Sequence, residues 1–484
     1  MKHLKRLIVC LAVVFFIGLF LQSAALAWEP PDPRTYVPTL PDLEKAKAFY
    51  DDPRSVYAGS MSIKARIPKE LYEKLVYPID EMKKEWADVV GFKAPDVVGK
   101  KAPEIKPGKY TYKDLEKYPG FKELFWPIML SRIKPGGPPF AGNIPEFEII
   151  PTEQRYHSLP VAQATKQNSS KIKVDSKGYL ITESWEGGYP FPRPSGPHKA
   201  LQIMNNLEKR YFAFDGNFYL LSRVAGYRKD LSEDYYGVCD CYALRLGGRS
   251  VLEPYGWLDE RAKKRGELRT FIMSFLAPRD SVGMAMTALF YLEPDKSDLL
   301  MVYVPQMRRI RMLTSSDSQD PVQGQDVIYD DSDGYSQKLS PKRFPYEWKV
   351  LEETEYLAQV PDGTEYITKK GLEIRNVKFM RRPIYVIEGK QLDPNYVYSK
   401  RILYIDRETF ILYDAANYDQ KGRLYRTWSA PPKFEPDMGV FHRGSMIGVM
   451  KDHLDVHTGL GSDYQLPAFW GRKDVSLEQY LGAK

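Results

Sequence analysis

Residues 398–428 read YSKRILYIDRETFILYDAANYDQKGRLYRTW. Runs of strand-forming residues such as Ile402–Ile405 and Phe410–Tyr413 read as strands. Asp406-Arg407-Glu408-Thr409 and Asp419-Gln420-Lys421-Gly422 separate the runs with turn-forming residues. Strands joined by turns this short are antiparallel neighbours, because a parallel pair needs a crossover of about a dozen residues.

The same signal extends on the N-terminal side. FAFDGNFYLLSRVAGY, CDCYALRL, LRTFIMSFL, TALFYLE, SDLLMVYVPQMRRIRML, EYLAQV and RRPIYVIEG read as strands. KIKVDSKGYLITESW (171–185) reads as a strand, an Asp-Ser-Lys-Gly turn and a second strand. From Leu299 to Val304 both faces are apolar, as a strand needs when it is covered on two sides, while Arg308, Arg309 and Arg311 mark where the chain leaves the core. The expected fold class is mainly β, a large and strongly curved antiparallel sheet with a few helices against its concave side.

One helix interrupts the strands. In ESWEGGYPFPRPSGPHKALQIMNN (183–206), Ser195-Gly196-Pro197 is a start signal, and Ala200, Met204, Leu207 and Tyr211 fall on one face. Before residue 148 the period becomes helical: Leu71, Leu75, Ile79, Met82, Trp86 and Val89 recur between 69 and 91, with Pro78 a kink. KKAPEIKPGKY (100–110) and KPGGPP (134–139) are loops. At the start, Lys2, Lys5 and Arg6 precede an apolar run from Leu7 to Leu21 and then Ser23-Ala24-Ala25-Leu26-Ala27, the pattern of a secretory signal peptide cut before Trp28. Cys10 follows Val9 rather than a small residue, which argues against a lipid anchor. The expected division is a signal peptide at 1–27, an N-terminal helical, Pro-rich arm or cap at 28–147, and an antiparallel β domain at 148–484. The protein is expected to be soluble and periplasmic.

Losing three cations and no anions with the signal takes the formal charge from +7 to +4. A balance so near neutral argues against a nucleic-acid partner. Cys239 and Cys241 are then the remaining cysteines, so burial rather than disulfides must hold the fold. Aromatics make up 13% of the chain, with 34 tyrosines, and read either as rings packed on strands or as the lining of a cavity.

Sequence signatures of catalysis are missing. There is no G-x-S-x-G, H-E-x-x-H, G-x-x-x-x-G-K-[ST] or strand-borne G-x-G-x-x-G, so neither an enzyme nor a cofactor is expected. Cys239-Asp240-Cys241 would place two thiols on one strand face, as packing or as a labile redox pair or soft-metal site. His453, Asp455 and His457 would share a strand face and are weak metal candidates, with an exposed polar edge the plainer reading. Tyr329-Asp330-Asp331-Ser332-Asp333-Gly334 fails as a calcium loop, with Tyr329 and Ser340 where the first and twelfth ligands belong, and reads as a solvated loop. Asn168-Ser169-Ser170 fits a glycosylation acceptor, a pattern common by chance.

Four motifs in order carry a resemblance: Gly187-Gly188-Tyr189-Pro190-Phe191-Pro192 before a helix; Tyr303-Val304-Pro305 with Arg308-Arg309-Ile310-Arg311; Pro321-Val322-Gln323-Gly324-Gln325-Asp326; and Tyr398-Ser399-Lys400-Arg401 through Ile405-Asp406 to Tyr418-Asp419. Over about 180–430 the chain resembles the bacterial domain-of-unknown-function 1329 family, exported proteins similar in fold to the outer-membrane lipoprotein-sorting (Lol-type) carriers. The resemblance implies an incomplete β-barrel with plugging helices, whose hollow takes acyl chains. It also implies a partner, an inner-membrane exporter of the resistance-nodulation-division type or an outer-membrane protein. The expected ligand-binding residues are Trp185, Tyr189, Phe191, Met204, Leu207 and Tyr303 for a hydrophobic ligand, with Arg308, Arg309 and Arg311 for an anionic headgroup. The expected function is a periplasmic carrier or chaperone for a lipid, lipoprotein or other hydrophobic cargo. The alternatives are a non-catalytic accessory subunit docking on an exporter or outer-membrane protein, and an envelope hydrolase.

Overall fold

The computed structural model describes residues 63–65, 67, 69–211, 214–313, 318–319, 328–368, 370–443, 447–451, 457–467 and 471–482. The signal-peptide segment, Pro321–Asp326, His453 and Asp455 lie outside these residues.

The long alternating stretches become one 15-stranded sheet. Its strands are β1 (Gly108–Thr111), β2 (Glu146–Ile149), β3 (Gly216–Tyr227), β4 (Glu233–Arg245), β5 (Glu267–Ala277), β6 (Ala285–Tyr291), β7 (Leu299–Val304) and β8 (Arg309–Leu313). They continue with β9 (Tyr346–Gln359), β10 (Val377–Gln391), β11 (Lys400–Asp406), β12 (Leu412–Tyr418), β13 (Leu424–Ser429), β14 (Ile447–Lys451) and β15 (His457–Pro467). The order is β1-β2-β10-β11-β12-β13-β14-β15-β3-β4-β5-β6-β7-β8, with β9 along the other edge of β10. Pairings are antiparallel except for β2 against β10. No pairing among the described residues joins β8 back to β9, so the sheet is open. The 398–428 meander is β11–β12–β13, with turns where the sequence places them.

Both faces of the β9–β13 half are filled. One carries Ile387, Leu403, Ile405 and Trp428, packed under helices α1 (Lys69–Leu75), α2 (Ile79–Val90), α3 (Leu159–Asn168) and α4 (Lys199–Glu208). The other carries Phe379, Val386, Ile402 and Tyr404 beneath Phe121, Leu124, Trp126 and Ile128. The expected kink at Pro78 is a break between α1 and α2. The helical face expected on α4 is observed, with Met204 and Leu207 fully buried.

The N-terminal helices are pinned to the sheet through the β11–β12 turn. The Glu408 carboxylate accepts the N–H groups of Ala94 (2.7 Å) and Arg155 (2.8 Å), and it pairs with Arg382 at 2.7 Å. Arg382 also holds Asp406 at 2.7 Å, and Trp86 Nε1 donates to the Glu408 carbonyl at 2.8 Å. Burial raises the Glu408 carboxyl while Arg382 opposes the shift.

Three local readings are corrected. Residues 171–185 keep the Asp-Ser-Lys-Gly turn and an antiparallel Val174–Leu180 bridge across it, but 3-10 turns stand where two full strands are expected. Leu299–Val304 is half-exposed along its whole length, not covered on two sides. The acidic run 329–334 is not a solvated loop: Asp330 and Asp331 are buried in a kinked 3-10 turn.

Candidate functional site

The acidic turn begins a strap that crosses the helix-bearing face. Gly334 sits so close to Leu412 and Trp428 that a Cβ would meet Leu412 at 2.5 Å, and its φ of +82° also calls for glycine. Asp331 pairs with Arg401 of β11 at 2.7 Å and accepts from the Tyr398 hydroxyl. Arg401 further donates to Asn417 Oδ1 (3.0 Å), Tyr396 Oη (3.0 Å) and Tyr346 Oη (3.2 Å). Asp330 takes bonds from Tyr396 (2.6 Å) and Gln337 (2.9 Å), and burial pushes its carboxyl up to about 6. The strap then reaches the β6–β7 turn, where Lys338 Nζ pairs with Asp298 at 2.6 Å and Ser340 donates to Asp295 at 2.6 Å. Arg210, just beyond α4, donates to the carbonyls of Asp333 and Tyr335. These buried acids are committed to arginine, tyrosine and glutamine partners.

On the other half of the sheet the same face is half-exposed among the described residues. Paired residues of neighbouring strands share a face, and the register carries the helix-bearing face from Trp428 across β14, β15 and β3 to Tyr235, and so to Cys239 and Cys241. From β4 outward two apolar rows follow: Cys241–Met273–Met286–Val302 and Ala243–Phe271–Ala288–Leu300. Met286 and Ala288 are buried, while Cys241, Ala243, Phe271, Met273, Leu300 and Val302 are half-exposed. Their neighbours on the opposite face, Tyr242, Leu244, Ile272 and Ala285, are buried with Val475 and Leu477. The usual order of a sheet is thus kept on one face and left unfinished on the other. Burial pushes the phenol of Tyr329, at the start of the strap, up, and the charge of Arg269 opposes the shift.

Charge lies at the margins of these rows. Arg309 pairs with Val304 and Arg311 with Val302, so both side chains share the apolar face at the sheet's last strand. Arg269, exposed and 4.2 Å over the Phe290 ring, shares it at the far corner. Arg269 was not singled out from the sequence; its position two residues before Phe271 in an alternating strand is the signal that could have found it.

The residues expected to bind ligand fall into separate places. Tyr189 is fully buried, its hydroxyl 3.0 Å from His157 Nε2 and its ring 5.6 Å from Trp86. Burial drives the His157 imidazole down to about 4. Trp185 is buried and donates to the Gly188 carbonyl at 2.9 Å. A Cβ on Gly188 would meet the Thr165 backbone at 2.4 Å, and its φ is +73°, which accounts for the glycine pair before the helix. Met204 and Leu207 lie in the same core as Tyr189. Phe191 is half-buried, clamped by Asn206, which accepts its N–H at 2.9 Å and donates to its carbonyl at 2.6 Å. Tyr303 lies on the opposite face, beside Ile310 in the register. Arg308 is exposed in the αL conformation that closes the turn between β7 and β8. The structure therefore brings Tyr189, Met204 and Leu207 together and sets Arg309 and Arg311 on a different part of the sheet. His457 begins β15. No disulfide joins Cys239 and Cys241. Among the described residues no group of three or more His, Cys, Asp and Glu is arranged to hold a metal ion, and no helix is long and apolar enough to cross a membrane.

An open antiparallel sheet, packed with helices over one half and carrying a half-exposed apolar face on the other among the described residues, defines the class. Residues 142–459 match the family model described as Protein of unknown function (DUF1329), and the chain belongs to that family. It is similar to an outer membrane lipoprotein-sorting protein domain from Vibrio parahaemolyticus, with 15% identity, 59% of this chain and 99% of that one covered, and a TM-score of 0.41. It is also similar to a DUF1329 family protein from Desulfovibrio piger (13% identity, 58% and 95% covered, TM-score 0.38). A third is a LolA superfamily protein from Nitrosomonas europaea (17% identity, 58% and 98% covered, TM-score 0.35). No curated protein matches the chain.

Proposed function

We propose that the protein is an exported, periplasmic, non-catalytic carrier that shields a hydrophobic or amphiphilic cargo on the open face of β4–β7. The observation that carries this reading is the pair of apolar rows, half-exposed on the face that helices fill elsewhere in the sheet. Burying about ten acyl methylenes there at ~0.8 kcal/mol each supplies about 8 kcal/mol, the scale of a micromolar complex, before the costs of ordering. Arg269, Arg309 and Arg311 stand where an anionic headgroup would emerge. The buried residues Trp185, Tyr189, Met204 and Leu207 support α4 and the strap at the margin of the face.

The test is native mass spectrometry with organic extraction, on protein purified from the periplasm without detergent. The expected result is a defined co-purifying amphiphile, lost in Val302→Asp and Phe271→Asp variants that keep the wild-type circular dichroism. Both positions are half-exposed, so a carboxylate there is solvated in the empty protein. An empty wild type that also refuses added lipid overturns the reading.

A second reading rests on a different observation. Ile310 and Met312 of β8 are 49% and 67% exposed at the last strand of the sheet. An accessory subunit that docks on an exporter or outer-membrane protein through this edge would present such a strand. Co-purification of a stoichiometric membrane partner, abolished by Met312→Lys, would favour it.

A further inference from the structure

Sulfur gathers at one point of the open face. Cys241 pairs with Met273 across β4 and β5, and Met273 pairs with Met286 across β5 and β6. Cys239 lies two residues along β4, hence on the same face, beside Phe275. Cys239, Cys241 and Met273 are half-exposed, with Met286 buried beside them.

Spacing decides what the two thiols can do together. Residues i and i+2 of a strand lie about 7 Å apart at Cα, at or beyond the ~4.4–6.8 Å that a disulfide spans. Two thiolates that hold one ion at about 2.3 Å each need their sulfurs only ~4 Å apart, which rotation about each χ1 provides. Met273 stands about 5 Å across the ladder from Cys241, and its flexible side chain carries the thioether to the same point.

We infer that Cys239, Cys241 and Met273, backed by Met286, form a binding site for the soft monovalent ion Cu(I). The donor set selects the ion: thiolate and thioether sulfur together suit Cu(I), whereas zinc, which also takes thiolate, completes its tetrahedron with further thiolate, imidazole or carboxylate, which the rows do not contain. Binding Cu(I) displaces the protons of the ligating thiols to solvent and changes no oxidation state. The inference goes beyond the carrier reading, with which it shares Cys241, Met273 and Met286 of the apolar rows.

Purified mature protein is titrated anaerobically with Cu(I) supplied as its bathocuproine disulfonate complex. The expected result is transfer of one equivalent, with a sulfur-only first coordination shell by X-ray absorption. Cys239→Ser and Cys241→Ser should each weaken binding by more than the ~10–100-fold that loss of an outer-shell partner costs. Met273→Leu conserves volume, keeps the fold, and should weaken binding by about tenfold while removing one sulfur from the shell. Failure of the wild type to take Cu(I) from the chelator, or a Met273→Leu variant with unchanged affinity and coordination, overturns the inference. Amphiphile retention measured on the same samples separates the two ideas, because either activity can be lost while the other persists.

Discussion

Arg401 and Asp331, 70 residues apart in the chain, meet at 2.7 Å with both side chains out of solvent. The pair fastens the strap to β11, and three hydroxyls and an amide complete its hydrogen bonding. Arg401→Met leaves a buried carboxylate without its cation, so it should lower the unfolding free energy by about 3–5 kcal/mol in urea titration. The Arg401→Met, Asp331→Asn double variant should recover part of that loss, with a coupling of about 0.5–3 kcal/mol. A loss below about 1 kcal/mol, the scale of an exposed pair, would show that the strap does not depend on this contact.

Asp414 tests the opposite face of the sheet. Burial pushes its carboxyl up to about 6, against the Ser429 hydrogen bond and the charge of Arg132, and Trp126 Nε1 donates to it. A folded pKa above the unfolded value means that folding favours the protonated form. That stabilisation is complete below about pH 4 and is lost as the pH rises through 6, a swing of roughly 3 kcal/mol. Asp414→Asn imitates the protonated acid at every pH. Its unfolding free energy relative to wild type should therefore rise by about 3 kcal/mol between pH 3.5 and 7.5, and a difference that stays flat across this range would refute the assignment.

Periodicity made the sheet legible and left the site obscure. In β11–β13 short runs of strand-forming residues are separated by compact polar turns, so strand, turn and antiparallel order follow from local spacing. The acidic turn misled because Asp330 and Asp331 resemble solvent-facing residues until Arg401, Tyr396 and Tyr398 arrive from β11 and the loop before it. Tyr189 misled in another way: a glycine-rich aromatic segment fits a lid as well as a core, and Trp86, His157 and Phe410, contributed from distant parts of the chain, close it over. The open face needed the register of β4–β8, which sets Arg309 and Arg311 on the same side as Val302 and turns Tyr303 away. No pattern within a single strand contains that information.

Trp86 measures how firmly the N-terminal helices belong to the fold. Its ring is fully buried, 4.6 Å from His157 and 5.6 Å from Tyr189, and Nε1 reaches the Glu408 carbonyl. Trp86→Ala should cost about 3–5 kcal/mol in thermal or urea unfolding, several times the cost of Phe191→Ala at its half-buried position. An effect near zero would mean that the helices dock loosely and the sheet stands without them.

The arginines at the margin give the carrier reading its finest test. Arg309 and Arg311 are exposed on a strand that contains no acidic residue, and Arg269 lies across the apolar rows from them. An exposed arginine contributes little to stability, so Arg309→Gln, Arg311→Gln and Arg269→Gln should each shift unfolding by less than about 0.5 kcal/mol. An anionic headgroup bound by them would lose charge-assisted hydrogen bonds. The triple variant should therefore bind a fluorescent anionic phospholipid about tenfold or more weakly, and bind its zwitterionic analogue with the same acyl chains unchanged. Raising the salt concentration should reproduce the same bias in the wild type, because charges this exposed are screened within about 10 Å at 0.1 M. Equal losses for both lipids would place the arginines among the contacts to the chain rather than the headgroup; no loss for either would detach them from the cargo altogether and leave the apolar rows as the whole of the site.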